Sequence, residues 1–179
     1  MAIGENRAVF LDRDGVIIKE KEFVIDIDRL EFIPRSIDAL RQLPADFLKI
    51  IISNQSGVGR GYFNLEQVES FNSALIELLK KKGVLIDKIY YCPHRPEDNC
   101  ECRKPASGLF NKADRQFGID FSRSWVIGDK STDILAGKNI GAKTILVRTG
   151  YAGREPGAQE AEADYTAGDL FEAVEIIRK

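Results

Sequence analysis

Short apolar runs that alternate with amphipathic helical stretches restrict the folds open to this chain more than any other feature. Five runs carry almost only apolar side chains, as do strands that are buried on both faces of a sheet: residues 8–11, 47–52, 89–91, 125–127 and 144–147. Helical periodicity and capping signals predict helices between and after them, at about 34–43, 64–83, 107–117, 131–140 and 168–178. This alternation predicts an α/β fold: a doubly wound, mostly parallel sheet with helices on both faces.

The segments outside this alternation are short. Residues 17–33 separate the first strand from the first helix and are predicted to form a hairpin or flap, and residues 150–163 a surface loop. No segment is long enough for a large cap domain. A chain of 179 residues can bury a sufficient core by itself, so we expect one domain over residues 1–179.

Charge and hydropathy restrict the classes of partner that this chain is expected to bind. The chain has 26 basic and 28 acidic residues, which gives no electrostatic footprint for nucleic acid. No run approaches the ~18 apolar residues of a membrane span. The segment Met1–Arg7 lacks the basic-then-apolar order of a signal peptide. We therefore expect a cytoplasmic monomer that acts on a small molecule and binds neither nucleic acid nor membrane.

The scarcity of histidine limits the possible chemistry. His94 is the one histidine in the sequence, so Ser-His-Asp and Cys-His mechanisms would need His94 itself. A thiol phosphatase would carry an arginine six positions after its cysteine, but Asp98 and Ala106 stand at the positions set by Cys92 and Cys100. Catalysis by carboxylates, a lysine or a metal remains.

Polar residues follow the predicted strands at the edge where ligands bind in such sheets. Asp12-Arg13-Asp14-Gly15 follows the first strand, Ser53 to Gly57 the second, and Gly128 to Asp133 the fourth, while Arg103-Lys104-Pro105 precedes a later helix. Each segment alone also fits a solvated turn or a helix cap. Together, three carboxylates, a hydroxyl and a lysine at one edge indicate a Mg²⁺ site for phosphoryl chemistry.

The glycine-rich turn over residues 57–61 suggests an alternative, a nucleotide cradle. It lacks the final Lys-Ser/Thr of a P-loop and the spacing of a dinucleotide motif. We therefore expect this turn to line the substrate side of a phosphatase pocket.

The three cysteines and the histidine fall within eleven residues, in the pattern C-x-H-x5-C-x-C. Four ligands of this kind with no open position favour a structural Zn²⁺ site made by Cys92, His94, Cys100 and Cys102 in a loop over residues 92–102. Buried cysteines beside a surface histidine and a disulfide are the alternatives. A zinc-binding module without catalysis is the alternative of a different functional class.

The segments DRDGV, SNQSG, RKP and GDKSTD resemble, in order, the four motifs of the haloacid dehalogenase-like phosphohydrolases. The resemblance implies their Rossmann-like fold and a Mg²⁺-dependent phosphatase. It implies that Asp12 is the nucleophile, Asp14 the general acid and base, Ser53 a phosphoryl ligand and Lys104 the neutralising cation. It further implies that Asp12, Asp129 and the backbone carbonyl of Asp14 hold Mg²⁺, with Asp133 supporting them.

The zinc loop resembles one branch of that superfamily, which contains heptose bisphosphate phosphatases and histidinol-phosphate phosphatases. The segment NQSGVGRGYF is similar to the heptose enzymes. The resemblance implies removal of the 7-phosphate from heptose 1,7-bisphosphate, in the biosynthesis of nucleotide-activated heptose for surface polysaccharide, with histidinol phosphate as the alternative substrate. The residues expected to bind substrate are Asn54, Gln55, Ser56, Arg60, Arg103 and Lys130.

Overall fold

A six-stranded parallel sheet forms the centre of the structure, a computed structural model that describes residues 4–23 and 25–179. The strands are β1 (Arg7–Leu11), β2 (Phe47–Asn54), β3 (Lys88–Cys92), β4 (Trp125–Gly128), β5 (Lys143–Val147) and β6 (Tyr165–Ala167). The helices are α1 (Ser36–Gln42), α2 (Leu65–Lys81), α3 (Gly108–Phe117), α4 (Ser131–Asn139) and α5 (Leu170–Ile177).

The strand order β3-β2-β1-β4-β5-β6 contains one reversal of direction. The chain runs outward from β1 through β2 to β3, then returns to the other side of β1 and continues through β4 to β6. Adjacent strands β1 and β4 are paired from Val9 with Trp125 to Leu11 with Ile127. In open α/β sheets, ligands bind where the order reverses, outside the carboxyl ends of the strands. The structure therefore directs attention to the residues that follow β1 and β4.

The strands are buried on both faces, which explains their continuous apolar sequences. In β1, Val9 and Leu11 face the hydrophobic core that contains residues of α1, α2 and α5. Ala8 and Phe10 face the opposite core, which contains Leu109, Phe110 and Ala113 of α3 together with Ala136 of α4. Helices thus cover both sides of the sheet, and the predicted fold class is confirmed.

The predicted elements match those of the structure apart from their ends and one strand. Helix α2 begins at the predicted capping box, in which Asn64 Oδ1 accepts from Gln67 N and Gln67 Oε1 accepts from Asn64 N, both at 2.9 Å. Strand β6 was not predicted, because it has three residues and two of them are exposed. Helix α1 begins at Ser36 rather than at 34, after Arg35 in the left-handed conformation.

The segment between β1 and α1 folds back on itself as predicted for a hairpin or flap. Ile18 and Phe32 form an antiparallel bridge, and backbone hydrogen bonds join Lys19 N to Glu31 O and Ile33 N to Ile17 O. Within the described residues, 4–23 and 25–179, no helix is long and apolar enough to cross a membrane. Residues 1–3 and Val24 lie outside the described residues. Residues 1–3 belong to the segment that lacks the order of a signal peptide, and Val24 belongs to the flap.

Candidate active site

Asp12 and Lys104 form a buried ion pair at the carboxyl end of the sheet. Asp12 directly follows β1, and its backbone N–H continues the pairing with β4 by donating to Ile127 O at 3.0 Å. Lys104 Nζ lies 2.9 Å from Asp12 Oδ1, 2.6 Å from Asp133 Oδ1 and 2.6 Å from Ile52 O. Both charged residues are about 5% exposed or less, so this ammonium is held between two carboxylates with little water.

The charges of this pair fix the protonation of Asp12. Burial alone would raise the pKa of Asp12, but the nearby Lys104 and Lys130 outweigh it and lower the pKa below its ordinary value. Burial likewise opposes the charge of Lys104, and the Asp12 and Asp133 carboxylates outweigh it, raising the lysine pKa. Asp12 is therefore a carboxylate at neutral pH, as its predicted role as nucleophile requires.

Asp129 follows β4 and is fully buried beside Asp12. Its Oδ2 accepts the backbone N–H of Tyr151 at 2.7 Å, and its backbone oxygen accepts that of Gly153 at 2.7 Å. Two glycines with positive φ allow the chain to approach this closely. A Cβ on Gly15 (φ +87°) would lie 2.4 Å from Asp129 Oδ2, and one on Gly150 (φ +67°) would lie 2.2 Å from it.

Among the described residues, Asp129 Oδ1 is buried without a hydrogen-bond partner. Burial, followed by the charge of Asp12, raises the pKa of Asp129 to about 8. Carboxylate oxygens of Asp12, Asp129 and Asp133 lie within 4.8 Å of one another. A divalent cation would provide the missing partner and offset the repulsion, so this oxygen-rich cluster fits Mg²⁺.

Asp14, Ser53 and Gln55 are joined by side-chain hydrogen bonds. Gln55 Nε2 donates to Asp14 Oδ2 at 3.0 Å and to Ser53 Oγ at 2.6 Å. Asp14 Oδ2 also accepts from Arg13, whose Nε and Nη2 are each 2.9 Å away. The segments that follow β1 and β2 are therefore joined through side chains within the site.

Asn54 connects β2 to the segment that carries the lysine. Its Oδ1 accepts the backbone N–H of Lys104 at 3.1 Å, and its Nδ2 donates to Lys104 O at 3.2 Å. Both polar atoms of the amide thus hold the backbone from which the ammonium projects. The substrate contact expected of Asn54 stays a prediction.

The predicted zinc ligands converge in the segment that follows β3. Cys102 Sγ lies 3.1 Å from Cys92 Sγ, 3.5 Å from Cys100 Sγ and 3.2 Å from His94 Nδ1. A zinc tetrahedron with Zn–S bonds of about 2.3 Å has edges of roughly 3.8 Å, somewhat longer than these separations. The four ligands form a compact set that could hold a metal ion, and no disulfide links the cysteines.

Two further cationic side chains, Lys130 and Arg103, lie near these groups. Lys130 Nζ is 3.2 Å from Glu20 Oε2 of the flap. Burial lowers the pKa of Lys130, but Asp12, Asp129 and Glu20 outweigh it and raise the pKa above its ordinary value. Arg103 is held to the zinc loop by donating from Nη1 to His94 O at 3.1 Å. Its pKa is lowered, chiefly by burial and also by the charge of nearby Arg60.

The structure thus brings most of the predicted site residues to one edge of the sheet. Asp12, Asp14, Ser53, Lys104 and Asp129 are all buried there, with Asn54, Gln55, Arg103 and Lys130 directly adjacent. Ser56 and Arg60 lie on the loop after β2, which is joined to the zinc loop by Gln55 N donating to Cys92 O at 2.7 Å and Gly59 N donating to Pro93 O at 2.9 Å.

Sequence reasoning missed other contributors. Tyr151 donates to Asp129 and Gly150 permits the close approach, from a loop that carries no motif. Arg13 lies within a motif, but the sequence gives it no role. A cavity of about 460 Å³ beside Asp129, whose lining includes Lys19, Glu20, Thr149 and Tyr151, was also not anticipated. Only Arg13 had a sequence signal, because it is a charged residue between two motif aspartates.

Comparison with known proteins identifies the family. The D-glycero-beta-D-manno-heptose-1,7-bisphosphate 7-phosphatase of Pasteurella multocida is 41% identical over 180 residues, covering 96% of this chain and 97% of the relative. The protein of that name from Escherichia coli K12 is 39% identical over 184 residues, covering 96% and 94%. Residues 101–173 match a family model described as HAD-hydrolase-like.

A solved structure agrees with these relatives. The D,D-heptose 1,7-bisphosphate phosphatase of B. bronchiseptica, complexed with magnesium and phosphate, has a TM-score of 0.84 and 31% identity, covering 96% of this chain and 98% of that one. Magnesium is therefore present in a similar protein, and the Cys/His cluster of this chain could hold zinc. The chain belongs to the heptose bisphosphate phosphatase family of HAD-like hydrolases.

Proposed function

We propose that this chain removes the 7-phosphate of D-glycero-D-manno-heptose 1,7-bisphosphate, in the biosynthesis of nucleotide-activated heptose for surface polysaccharide. The observation that carries the proposal is 41% identity, over 96% of the chain, to a phosphatase named for that substrate. The buried carboxylates Asp12 and Asp14 and the buried Lys104, at the sheet edge where the strand order reverses, suit phosphoryl transfer. Histidinol phosphate is the alternative substrate that an experiment must exclude.

In the first step, a carboxylate oxygen of Asp12 attacks the phosphorus atom of the 7-phosphate. The P–O7 bond breaks, its electron pair stays on O7, and O7 takes a proton from the Asp14 carboxyl. The products are an aspartyl-phosphate on Asp12 and the released sugar. The ammonium of Lys104, 2.9 Å from Asp12 Oδ1, neutralises charge on the transferred phosphoryl group, and Ser53 Oγ donates to one of its oxygens.

In the second step, Asp14 is a carboxylate and takes a proton from a water molecule. The water oxygen attacks phosphorus, the bond to Asp12 breaks, and its electron pair returns to the Asp12 carboxylate. Inorganic phosphate leaves, and Asp14 carries the proton needed for the next cycle. One carboxyl group therefore acts as acid and then as base at the same place in the site.

Mg²⁺ and Zn²⁺ would have different roles here. Asp12, Asp129 and the backbone carbonyl of Asp14 would hold Mg²⁺, with Asp133 in support. When bound, Mg²⁺ supplies positive charge that neutralises the phosphoryl oxygens. Cys92, His94, Cys100 and Cys102 would hold Zn²⁺ with no ligand position left for substrate, and the ion would fix the zinc loop, which ends directly before Arg103 and Lys104.

A second phosphate on the substrate suits the cations around the site. Lys104 serves the transferred phosphate, which leaves Arg60, Arg103 and Lys130 for the 1-phosphate. Arg103 is suited to this role because its backbone is adjacent to that of Lys104 and its guanidinium is held by His94 O. Glu20 pairs with Lys130, so the flap can influence how this lysine meets the substrate.

The test is phosphate release from a panel of sugar phosphates and histidinol phosphate in the presence of Mg²⁺. We expect the highest kcat/KM with heptose 1,7-bisphosphate and release of one phosphate per molecule. A preference for histidinol phosphate would overturn the substrate assignment while leaving phosphatase chemistry in place. No release from any substrate would overturn the proposed chemistry as well.

We also propose that the protein acts as a cytoplasmic monomer. Its substrate-binding and catalytic groups all come from one chain in the described residues, so the proposed site needs no partner subunit. Light scattering after size-exclusion chromatography should give a mass close to 20.1 kDa. A stable dimer mass would contradict this proposal.

A further inference from the structure

Arg13 is a buried cation that the proposed reaction does not use. It stands between the two motif aspartates and is 1% exposed, among the most deeply buried large side chains of the described residues. A buried guanidinium costs desolvation free energy unless its donors are satisfied. Its contacts therefore indicate what its charge accomplishes.

Two of these donors meet one oxygen of Asp14. Nε and Nη2 both lie 2.9 Å from Asp14 Oδ2, rather than spanning the two oxygens of the carboxylate. Gln55 Nε2 reaches the same oxygen at 3.0 Å. Because all three donors in the described structure end on Oδ2, Oδ1 is left for substrate or water. These groups only donate, so Oδ2 must accept, and any proton on Asp14 resides on Oδ1.

The guanidinium is itself held by helix α2. Arg13 Nη1 donates to Asn72 Oδ1 at 3.1 Å, and the guanidinium carbon lies 4.7 Å from the centre of the Phe71 ring. Asn72 is 7% exposed. A buried side-chain amide normally needs a hydrogen-bond partner, and Arg13 provides one. The amide of Asn72 and the ring of Phe71, both on α2, thus hold the Arg13 guanidinium, which in turn holds the Asp14 carboxylate.

We propose that Arg13, anchored by Asn72, positions the Asp14 carboxyl for proton transfer, with Gln55 as the second positioning contact. The inference rests on the proposed phosphatase function. Asp14 must present the same oxygen to the leaving group and then to water, and a small misplacement of a catalytic group can cost about 10²-fold in rate. Holding Oδ2 from three directions restricts the rotation that would turn Oδ1 away.

Leaving groups with different needs for a proton separate positioning from general damage. A sugar alkoxide needs a proton as the P–O bond breaks, whereas p-nitrophenolate leaves without one. kcat/KM reports steps up to aspartyl-phosphate formation, so it does not include the later role of Asp14 as base. In Arg13→Met, we expect kcat/KM for heptose 1,7-bisphosphate to fall about 10- to 100-fold further than kcat/KM for p-nitrophenyl phosphate.

Asn72→Leu keeps Arg13 and removes only its anchor, so it serves if Arg13→Met does not fold. We expect the same direction of change, by about 3- to 10-fold, and a partial recovery in Arg13→Lys relative to Arg13→Met, because an ammonium can still donate one bond to Asp14. Leu75→Ala is the matched control, since it removes a fully buried side chain from the same helix. It should lower both kcat/KM values in parallel, if at all.

Two outcomes would overturn the inference separately from the proposed function. A wild-type enzyme that hydrolyses both substrates, with the ratio of kcat/KM values unchanged in Arg13→Met and in Asn72→Leu, would show that Arg13 is merely structural. If Leu75→Ala changes the ratio of kcat/KM values as much as Arg13→Met does, Arg13 is likewise merely structural. A wild-type protein that releases no phosphate from either substrate would overturn the proposed function and this inference together.

Discussion

Without Mg²⁺, the folded protein should lose stability as the pH rises from about 5 to 8. Burial and the charge of Asp12 raise the pKa of Asp129 to about 8 in the folded state, from an ordinary value of 3.8. The folded chain then holds a proton that the unfolded chain releases. This contribution is fully present below the unfolded pKa and is lost as the pH rises through the folded one. Asp133, whose pKa is also raised by burial, adds in the same direction.

The size of the effect follows from the width of this window. One proton corresponds to about 1.4 kcal/mol per pH unit, so three units allow at most about 4 kcal/mol. Because Asp12, Asp129 and Asp133 titrate as an interacting group, we expect a loss of roughly 2–4 kcal/mol between about pH 5 and 8. Asp12 does not cancel it, since its pKa is lowered and its contribution changes only at acid pH.

Urea denaturation at several pH values, in Mg²⁺-free buffer and in saturating Mg²⁺, measures this slope. Mg²⁺ binds the charged carboxylates and should flatten the dependence by stabilising the folded state most at high pH. Asp129→Asn should flatten it without metal. Asp38→Asn, at an exposed position of α1, should keep the wild-type slope. A stability that is constant or increases from pH 5 to 8 without Mg²⁺, or a slope that survives in Asp129→Asn, would refute the reasoning.

Four further substitutions test the residues proposed for catalysis, zinc binding and substrate binding. Asp12→Asn should lower turnover in the phosphate-release assay by at least ~10³-fold, and Asp14→Asn by about 10²–10⁴-fold; near-normal release by Asp12→Asn would exclude a covalent intermediate. Cys92→Ser should lower both the zinc content measured by elemental analysis and the Tm, and a loss of zinc with an unchanged Tm would contradict a bracing role. Arg103→Ala should raise KM for the bisphosphate more than for a monophosphate, by the equivalent of about 1.5–3 kcal/mol; equal changes in steady-state KM would argue against a contact with the second phosphate.

Much of the fold could be predicted because its strands are buried on both faces. Such strands give continuous apolar runs, and in β1 neighbouring residues such as Val9 and Phe10 do face different cores. Strand β6 lacks this property. It lies at the sheet edge, and Tyr165 is 44% exposed, so three residues with one buried side chain carry no detectable period.

In the site, too, residues placed by the ends of strands could be predicted, whereas contacts between residues far apart in sequence could not. Residues at the carboxyl ends of strands, such as Asp12 after β1 and Ser53 near the end of β2, could be predicted because parallel strands end at a common edge. The contact between Arg13 and Asn72 joins positions 59 residues apart, and it forms only when the chain folds so that α2 and β1 share one hydrophobic core. The N–H that Tyr151 gives to Asp129 is a backbone group, which any residue type supplies, so no side-chain pattern could indicate it.

The zinc loop and Lys104 are close in sequence but are held by different contacts. Lys104 is fixed by Asn54 through its backbone and by Asp12, Asp133 and Ile52 O through its ammonium, none of which belongs to the zinc loop. Arg103, by contrast, donates to His94 O within that loop. An ordered zinc loop therefore matters more for placing the guanidinium than for placing the ammonium. We therefore expect zinc ligation, in the proposed enzyme, to affect recognition of the substrate's second anionic group more than the phosphoryl-transfer step itself.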